Sequence, residues 1–308
     1  MQIAIVAAGA VGGILGARLA DAGHEVSVIA RGKHLEAIRK DGLQIESLLG
    51  NTVLRPKVAT DDPAEIGPVD IIIFAVKLWD TQTVAQACKP MMGPDTLVIP
   101  FQNGVESTKM IAEVLGDDHV MSGVAYISAT ISQPGHVRQN GEFANFILGA
   151  PGGAQPPALL TEFAQACQTA NVNAVVVPNI EAQLWKKLVF FAAFSGINVA
   201  ARCTLGDMRN DDALWRVFVA AMNETAAVAK ASGITLDDDV VNQTLKTVEG
   251  MPDATRATMA NDLLAGNKLE AYWLSGAVGR LGREGDVPTP VHDTFYAAAR
   301  LFVNGAPA

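Results

Sequence analysis

Residues 2–30 read QIAIVAAGAVGGILGARLADAGHEVSVIA, and this stretch decides the fold. Gln2 to Ala7 is a short β-branched run, Ala8 to Gly13 are almost all small, Ile14 to Ala22 has helical composition and stops at Gly23, and His24 to Ala30 returns to strand composition. Strand, small-residue turn, helix and second strand within about 30 residues make a βαβ unit, the setting in which G-x-G-x-x-G signals dinucleotide binding. The pattern here is Ala7-Ala8-Gly9-Ala10-Val11-Gly12, with alanine standing for the first glycine. Gly9 lets the backbone approach a pyrophosphate at the helix N-terminus, and Gly12 lets the helix pack closely on the strand. Ala8, Gly9, Ala10, Val11 and Gly12 are therefore the expected cofactor-binding turn. The end of the second strand selects the dinucleotide, because an acid there accepts from the ribose 2′-hydroxyl of NAD whereas an arginine accommodates a 2′-phosphate. This chain has Arg31, then Gly32 and Lys33. A guanidinium fork suits a phosphate dianion, so NADPH is the expected cofactor.

Working outward, residues 53–58, 70–76 and 96–101 read as strands, with helical stretches at 81–88 and 107–115 between them. This alternation specifies a doubly wound sheet, whose ligands sit beyond the carboxyl ends of the strands. Lys77, at the tip of an apolar strand, and Asn103, in QNGVE after LVIP, occupy such positions. GVAYISATIS, GHVRQN, ANFILGA and NVNAVVV, between Gly123 and Val177, read as shorter antiparallel strands, with a helix at 159–169 and the boundary at Pro178. Beyond Ile180 helical spacing dominates, and six helices are expected, at 181–201, 211–232, 237–248, 255–266, 268–284 and 290–303. The expected fold is α/β, a Rossmann-type dinucleotide-binding domain over 1–178 followed by an all-helical C-terminal domain over 179–308.

The 308 residues carry 49% hydrophobic and 18% charged side chains, the composition of a compact globular chain and not of a disordered or fibrous one. With 23 basic against 32 acidic residues the net charge is −9, so no global positive field favours nucleic acid or an anionic membrane. Cys88, Cys167 and Cys203 lie far apart without CxxC spacing or neighbouring histidines, and read as buried thiols of a cytoplasmic protein without a metal. The apolar run from Leu188 to Ala201 has 14 residues and contains Ser195 and Asn198, short of the roughly 20 that span a bilayer, and reads as a buried helix. His24, His34, His119, His136 and His292 are scattered and read as surface or loop residues.

The informative helix begins EAQLWKKLVFF at Glu181, apolar on every side after Leu188, with lysines marking where it enters the interior. A lysine at the edge of a core is costly without a partner or a task. With this element the whole chain resembles the ketopantoate reductase (2-dehydropantoate 2-reductase) family. The matching elements are the GAVG turn with Arg31 behind it, AVK ending in Lys77, QNGVE with Asn103, AQLWKKL with Lys187, and ATMANDLLAGNKLEAYWLSGAV with Thr258 and Glu270. The resemblance implies that Lys187 is the catalytic lysine and Glu270 the carboxylate near it and the cofactor. It implies that Lys77 and Asn103 contact cofactor and substrate, and that Thr258 binds substrate. The family usually carries Asn four and eight residues after the lysine, and here those positions are Phe191 and Ser195. A helix turns about 100° per residue, so position +11, Asn198, returns to within about 20° of the lysine's face. Ser195 and Asn198 are thus further expected substrate contacts, and Phe191 an aromatic wall that favours a more apolar substrate.

The implied activity is NADPH-dependent reduction of a 2-oxo acid to a 2-hydroxy acid, with 2-dehydropantoate first among substrates. The alternatives are a paralogous reductase of a more apolar 2-oxo acid and a non-catalytic NADPH-binding sensor. Retention of Lys187 with Glu270 speaks against the sensor. The expected partner is a small-molecule 2-oxo acid, with neither nucleic acid nor membrane, and a homodimer is admissible.

Overall fold

The structure, a computed structural model, describes residues 1–306. The chain forms two units, one from 1–102 with 107–180, the other from 103–106 with Glu181 onward. In the first, β1 (Gln2–Val6) is buried from Ile3 to Val6 and pairs in parallel on both sides, with β2 (Glu25–Ile29) and with a later strand over Ile71–Phe74. Burial on both faces explains why its residues read as a continuous apolar run. Between β1 and β2 lies α1 (Ala10–Asp21). After α2 (Gly32–Asp41) come β3 (Leu43–Glu46), β4 (Thr52–Leu54), β5 (Ala59–Thr60), β6 (Ile71–Phe74), α3 (Thr81–Ala87), β7 (Leu97–Pro100) and α4 (Ser107–Leu115). The parallel sheet has the order β5-β2-β1-β6-β7. Its connections reverse direction between β1 and β6, which puts the start of α1 at the switch point where such sheets bind ligands.

Gly12 packs as the motif requires, since a Cβ there would lie 2.8 Å from Ile5 and 2.9 Å from the Ala7 carbonyl. Ala7 takes the left-handed conformation of the glycine that it replaces, with φ 67°. The tight turn therefore forms, at a backbone cost of about 1–2 kcal/mol that glycine would avoid.

A second sheet carries β3, β4, β8 (Ser122–Gln133), β9 (His136–Gly149) and, after α5 (Ala158–Thr169), β10 (Asn173–Val176). Of the strand expected over 53–58, only 53–54 are strand, as the end of β4; 55–58 are irregular, and β5 begins at Ala59 in the other sheet. Pro56, which has no N–H to donate, falls in the break between them. GHVRQN and ANFILGA merge into the single strand β9, antiparallel to β8, with Gly141 absorbed at φ 88°. NVNAVVV is parallel to β9 and not antiparallel, as the α5 crossover requires.

Among the described residues the second half of the chain holds seven helices, not six: α6 (Ile180–Ala201), α7 (Leu205–Arg209), α8 (Asp212–Ala231), α9 (Val240–Glu249), α10 (Thr258–Leu264), α11 (Ser275–Glu284) and α12 (Pro290–Ala299). The short α7 was not expected; its Thr204–Asp207 capping box marks its start. The helix read over 268–284 begins only at Ser275, because 271–274 form turns. With 22 residues, α6 is long and apolar enough to cross a membrane, yet 67% of its apolar window is buried inside the protein. It also approaches its neighbours too closely for any side chain at Gly196, where a Cβ would overlap the Phe295 ring and come 2.9 Å from Ser275 Oγ.

The histidines correct the surface reading. His292 is fully buried, with Nε2 2.8 Å from Thr225 Oγ1 and 2.9 Å from the Ala221 carbonyl. Burial pushes its imidazole down to about 4, so it is neutral and ties α12 to α8.

Candidate active site

In the first unit, α1 opens at Gly9, which has no side chain to cap the first-turn N–H groups, and no acid stands in that turn. The backbone there is left to an anion, which the helix dipole favours. A Cβ at Gly9 would meet nothing closer than 3.9 Å, so the approach is open. These features fit a dinucleotide pyrophosphate over Ala8, Gly9, Ala10, Val11 and Gly12. Sequence reasoning missed His34, a half-buried residue on α2. Its Nδ1 accepts from the Gly135 N–H at 3.0 Å, which leaves Nε2–H to donate to the Ala8 carbonyl at 2.8 Å. It braces the turn from behind, and a histidine three residues after Arg31 is a signal only once the fold is known. Arg31 is exposed at the N-cap of α2. Lys77 follows the end of β6 by three residues and is the N-cap of a 3₁₀ turn, half-buried, with Nζ 5.7 Å from the Trp79 ring centroid.

The second unit assembles a lysine centre on α6. Lys187 is half-buried whereas Lys186 is exposed and reaches Gln243 Oε1 at 3.4 Å, so the two lysines face different environments, as their 100° offset on the helix dictates. The Lys187 Nζ donates to Asn103 Oδ1 at 3.1 Å and lies 5.6 Å from the Phe191 ring centroid. Asn103 follows β7 by three residues yet packs with the helical unit as part of 103–106. Glu270 is buried at 5% exposure, and its charge acts on the Lys187 ammonium. Burial pushes the Lys187 amine down to about 8, and Glu270 opposes that shift. An amine so poised is mostly protonated at neutral pH and can still release its proton, which suits a general acid.

The remaining expected substrate contacts divide. Thr258 is exposed at the first position of α10. Phe191 is half-buried beside the amine, as its helix position predicted. Ser195 is on the same stripe but fully buried, and its Oγ has no hydrogen-bond partner among the described residues. Asn198 corrects the expectation of a substrate contact. It is 1% exposed, its Oδ1 accepts from the Ala257 N–H at 2.9 Å, and its Nδ2 points at Met208 Sδ at 3.4 Å. Its task is to hold the residue before Thr258, since a buried amide must spend its bonds internally.

A parallel sheet with an anion-ready helix terminus at its switch point, and a buried amine flanked by amide and carboxylate, define a nicotinamide dinucleotide-dependent oxidoreductase that acts on a CH–OH group. The sequence matches the family described as ketopantoate reductase PanE/ApbA over residues 3–153 and ketopantoate reductase PanE/ApbA C terminal over residues 179–302. The chain belongs to the ketopantoate reductase family. It is 30% identical to the 2-dehydropantoate 2-reductase of Mesorhizobium japonicum, over 97% of each chain. The crystal structure of the PanE/ApbA family ketopantoate reductase from Ralstonia eutropha JMP134 has a TM-score of 0.90 at 31% identity, covering 98% of each chain. A ternary structure of D-mandelate dehydrogenase with NADH and anilino(oxo)acetate also reaches a TM-score of 0.90, over 98% of each chain, but at 22% identity that is a likeness of fold alone.

Lys187→Ala is expected to lower kcat for 2-oxo acid reduction by roughly 10²- to 10⁴-fold, a barrier increase of about 3 to 5 kcal/mol. NADPH affinity, followed by fluorescence titration, should be retained, and Lys186→Ala should leave kcat nearly unchanged. The reverse ranking of the two lysines would overturn the assignment.

Proposed function

We propose that the protein is an NADPH-dependent 2-oxo acid reductase whose substrate is 2-dehydropantoate and whose product is pantoate, a step of pantothenate biosynthesis. The observation that carries this reading is the Lys187 amine, buried, held on Asn103 and brought to about 8. The 2-dehydropantoate 2-reductase name carried by the Mesorhizobium japonicum relative supports the choice of substrate.

NADPH, when bound, supplies the hydride that reduces the ketone carbon. The residues of the first unit bind and select it: Ala8 to Gly12 present backbone N–H groups to the pyrophosphate, Arg31 takes the 2′-phosphate, and Lys77 contributes a further cation. In the second unit the Lys187 ammonium donates a hydrogen bond to the ketone oxygen, stabilises the alkoxide as it develops and transfers its proton there. Asn103 and Glu270 hold the ammonium in place, and Asn103 and Thr258 offer polar contacts to the substrate.

The cofactor test is Arg31→Ala. NADPH binding should weaken by tenfold or more, the scale of about 1.5–3 kcal/mol for a bond to a charged group, while NADH binding stays nearly unchanged. Equal losses for both cofactors would mean that Arg31 holds the loop and not the phosphate.

Phe191 favours a second reading, a 2-oxo acid with a more apolar chain, because an aromatic ring borders the amine where the family resemblance expects an amide. A site built for hydrogen bonds discriminates strongly, whereas a ring contributes contact and area. Steady-state kinetics with 2-dehydropantoate and an unbranched, hydroxyl-free 2-oxo acid decide between the readings. If the second holds, wild type prefers the apolar acid and Phe191→Asn moves the kcat/KM ratio toward 2-dehydropantoate by roughly tenfold, about 1.4 kcal/mol. An unchanged ratio in a destabilised variant removes Phe191 from the site.

A further inference from the structure

Arg280 lies on α11, and its guanidinium is engaged on three sides within the helical unit. Nη2 donates to both carboxylate oxygens of Glu106, at 2.9 and 2.7 Å, and Nη1 donates to the Tyr272 carbonyl at 2.8 Å. The guanidinium also lies over the Tyr272 ring, 3.8 Å from its centroid. The pair is only partly exposed, at 25% and 30% of side-chain area, so solvent screens it less than an open surface pair.

The partners are placed to matter. Glu106 ends the segment 103–106, which contributes Asn103 to the amine and turns through Gly104 at φ 85°. Tyr272 is two residues beyond Glu270, inside the turn in which the Trp273 N–H donates to the Glu270 carbonyl at 3.0 Å. Neither segment is helix or strand at these positions, so neither is fixed by a backbone ladder. One side chain restrains both loops that face Lys187. Resting on the reading of Lys187 as proton donor, we infer that Arg280, together with Glu106, is a positioning residue that fixes Asn103 and Glu270 against the lysine amine and acts on it only through them.

The groups facing that amine include the Asn103 amide, the Glu270 carboxylate and the Phe191 ring, while Lys186 on the same helix turns away to Gln243. The amide oxygen, the carboxylate and the ring face all favour the charged form, and burial disfavours it. Releasing the two loops therefore leaves desolvation less opposed, and the amine titrates lower. A displacement of even 1 Å at such a site is also enough to slow catalysis by about 10²-fold.

The test uses the full-length protein and needs no turnover. Competitive acetylation across a pH series, read by mass spectrometry at Lys187, gives the amine's midpoint. Wild type is expected near 8. Arg280→Met and Glu106→Gln should each move the midpoint down by about half a unit or more, and the double variant no further than the larger single shift, because both remove one ion pair. Arg280→Lys, which keeps the charge but loses the planar fork, should fall between. In parallel, kcat should drop by about tenfold or more, with the KM for NADPH unchanged, as expected for misplaced groups. A lowered melting temperature with midpoint and kcat at wild-type values would overturn the inference and leave the pair a packing contact. Shifted midpoints in a protein that reduces no 2-oxo acid would uphold the positioning and overturn the proton-donor reading instead.

Discussion

An amine taken out of water has to be given something in return, and the helical unit is arranged around that constraint. Lys187 enters the protein on α6, a helix that is apolar on nearly every face beyond it, so water cannot hydrate the ammonium from the helix side. What replaces water is specific: an amide oxygen at 3.1 Å, an aromatic face at 5.6 Å and the Glu270 charge. The Glu270 charge opposes the desolvation shift, which stops at about 8 and leaves an amine that is mostly charged yet able to give up its proton. A fully hydrated lysine would hold its proton too tightly, and a buried one without partners would not be protonated to begin with.

The first unit solves the opposite electrostatic problem. A chain of net charge −9 must still attract a polyanionic cofactor, and on the proposed reading local features have to do so. The start of α1 offers backbone N–H groups with no capping side chain and no acid in its first turn, and Arg31 stands exposed beyond β2. Ala7, in a left-handed conformation that glycine takes freely, shows that the chain maintains this turn at a cost in backbone energy. His34 offsets part of it by holding the Ala8 carbonyl from behind.

The β1–α1–β2 opening was legible because its hydrophobic period changes from that of a strand to that of a helix and back, with glycine at the positions where backbone must come close. Lys187 was legible because a charge at the mouth of an all-apolar helix needs a reason. Phe191 was placed correctly by helix geometry alone. The same geometry misled at Asn198, because a stripe on a helix says which way a side chain points and not whether another segment already occupies it; Ala257 does. His292 looked like a loop residue because its partners, Thr225 and Ala221, are far away in sequence and become neighbours only when α8 and α12 pack. Local composition likewise carried no sign that β9 would absorb Gly141, that the chain would leave β4 before Pro56 and pair again only from Ala59, or that Asn103 would leave the sheet's unit for the helical one.

The account turns on the protonation state of one amine, and the pH dependence of kcat/KM for 2-oxo acid reduction under NADPH reads it directly. Because the folded protein lowers the Lys187 pKa, the acid form is present below about 8 and lost above it. The rate should therefore be level through neutral pH and fall tenfold per unit on the alkaline side, with its midpoint near 8. A rate that stays level to the ordinary lysine range near 10.5, or an alkaline limb that persists unchanged in Lys187→Ala, would contradict it.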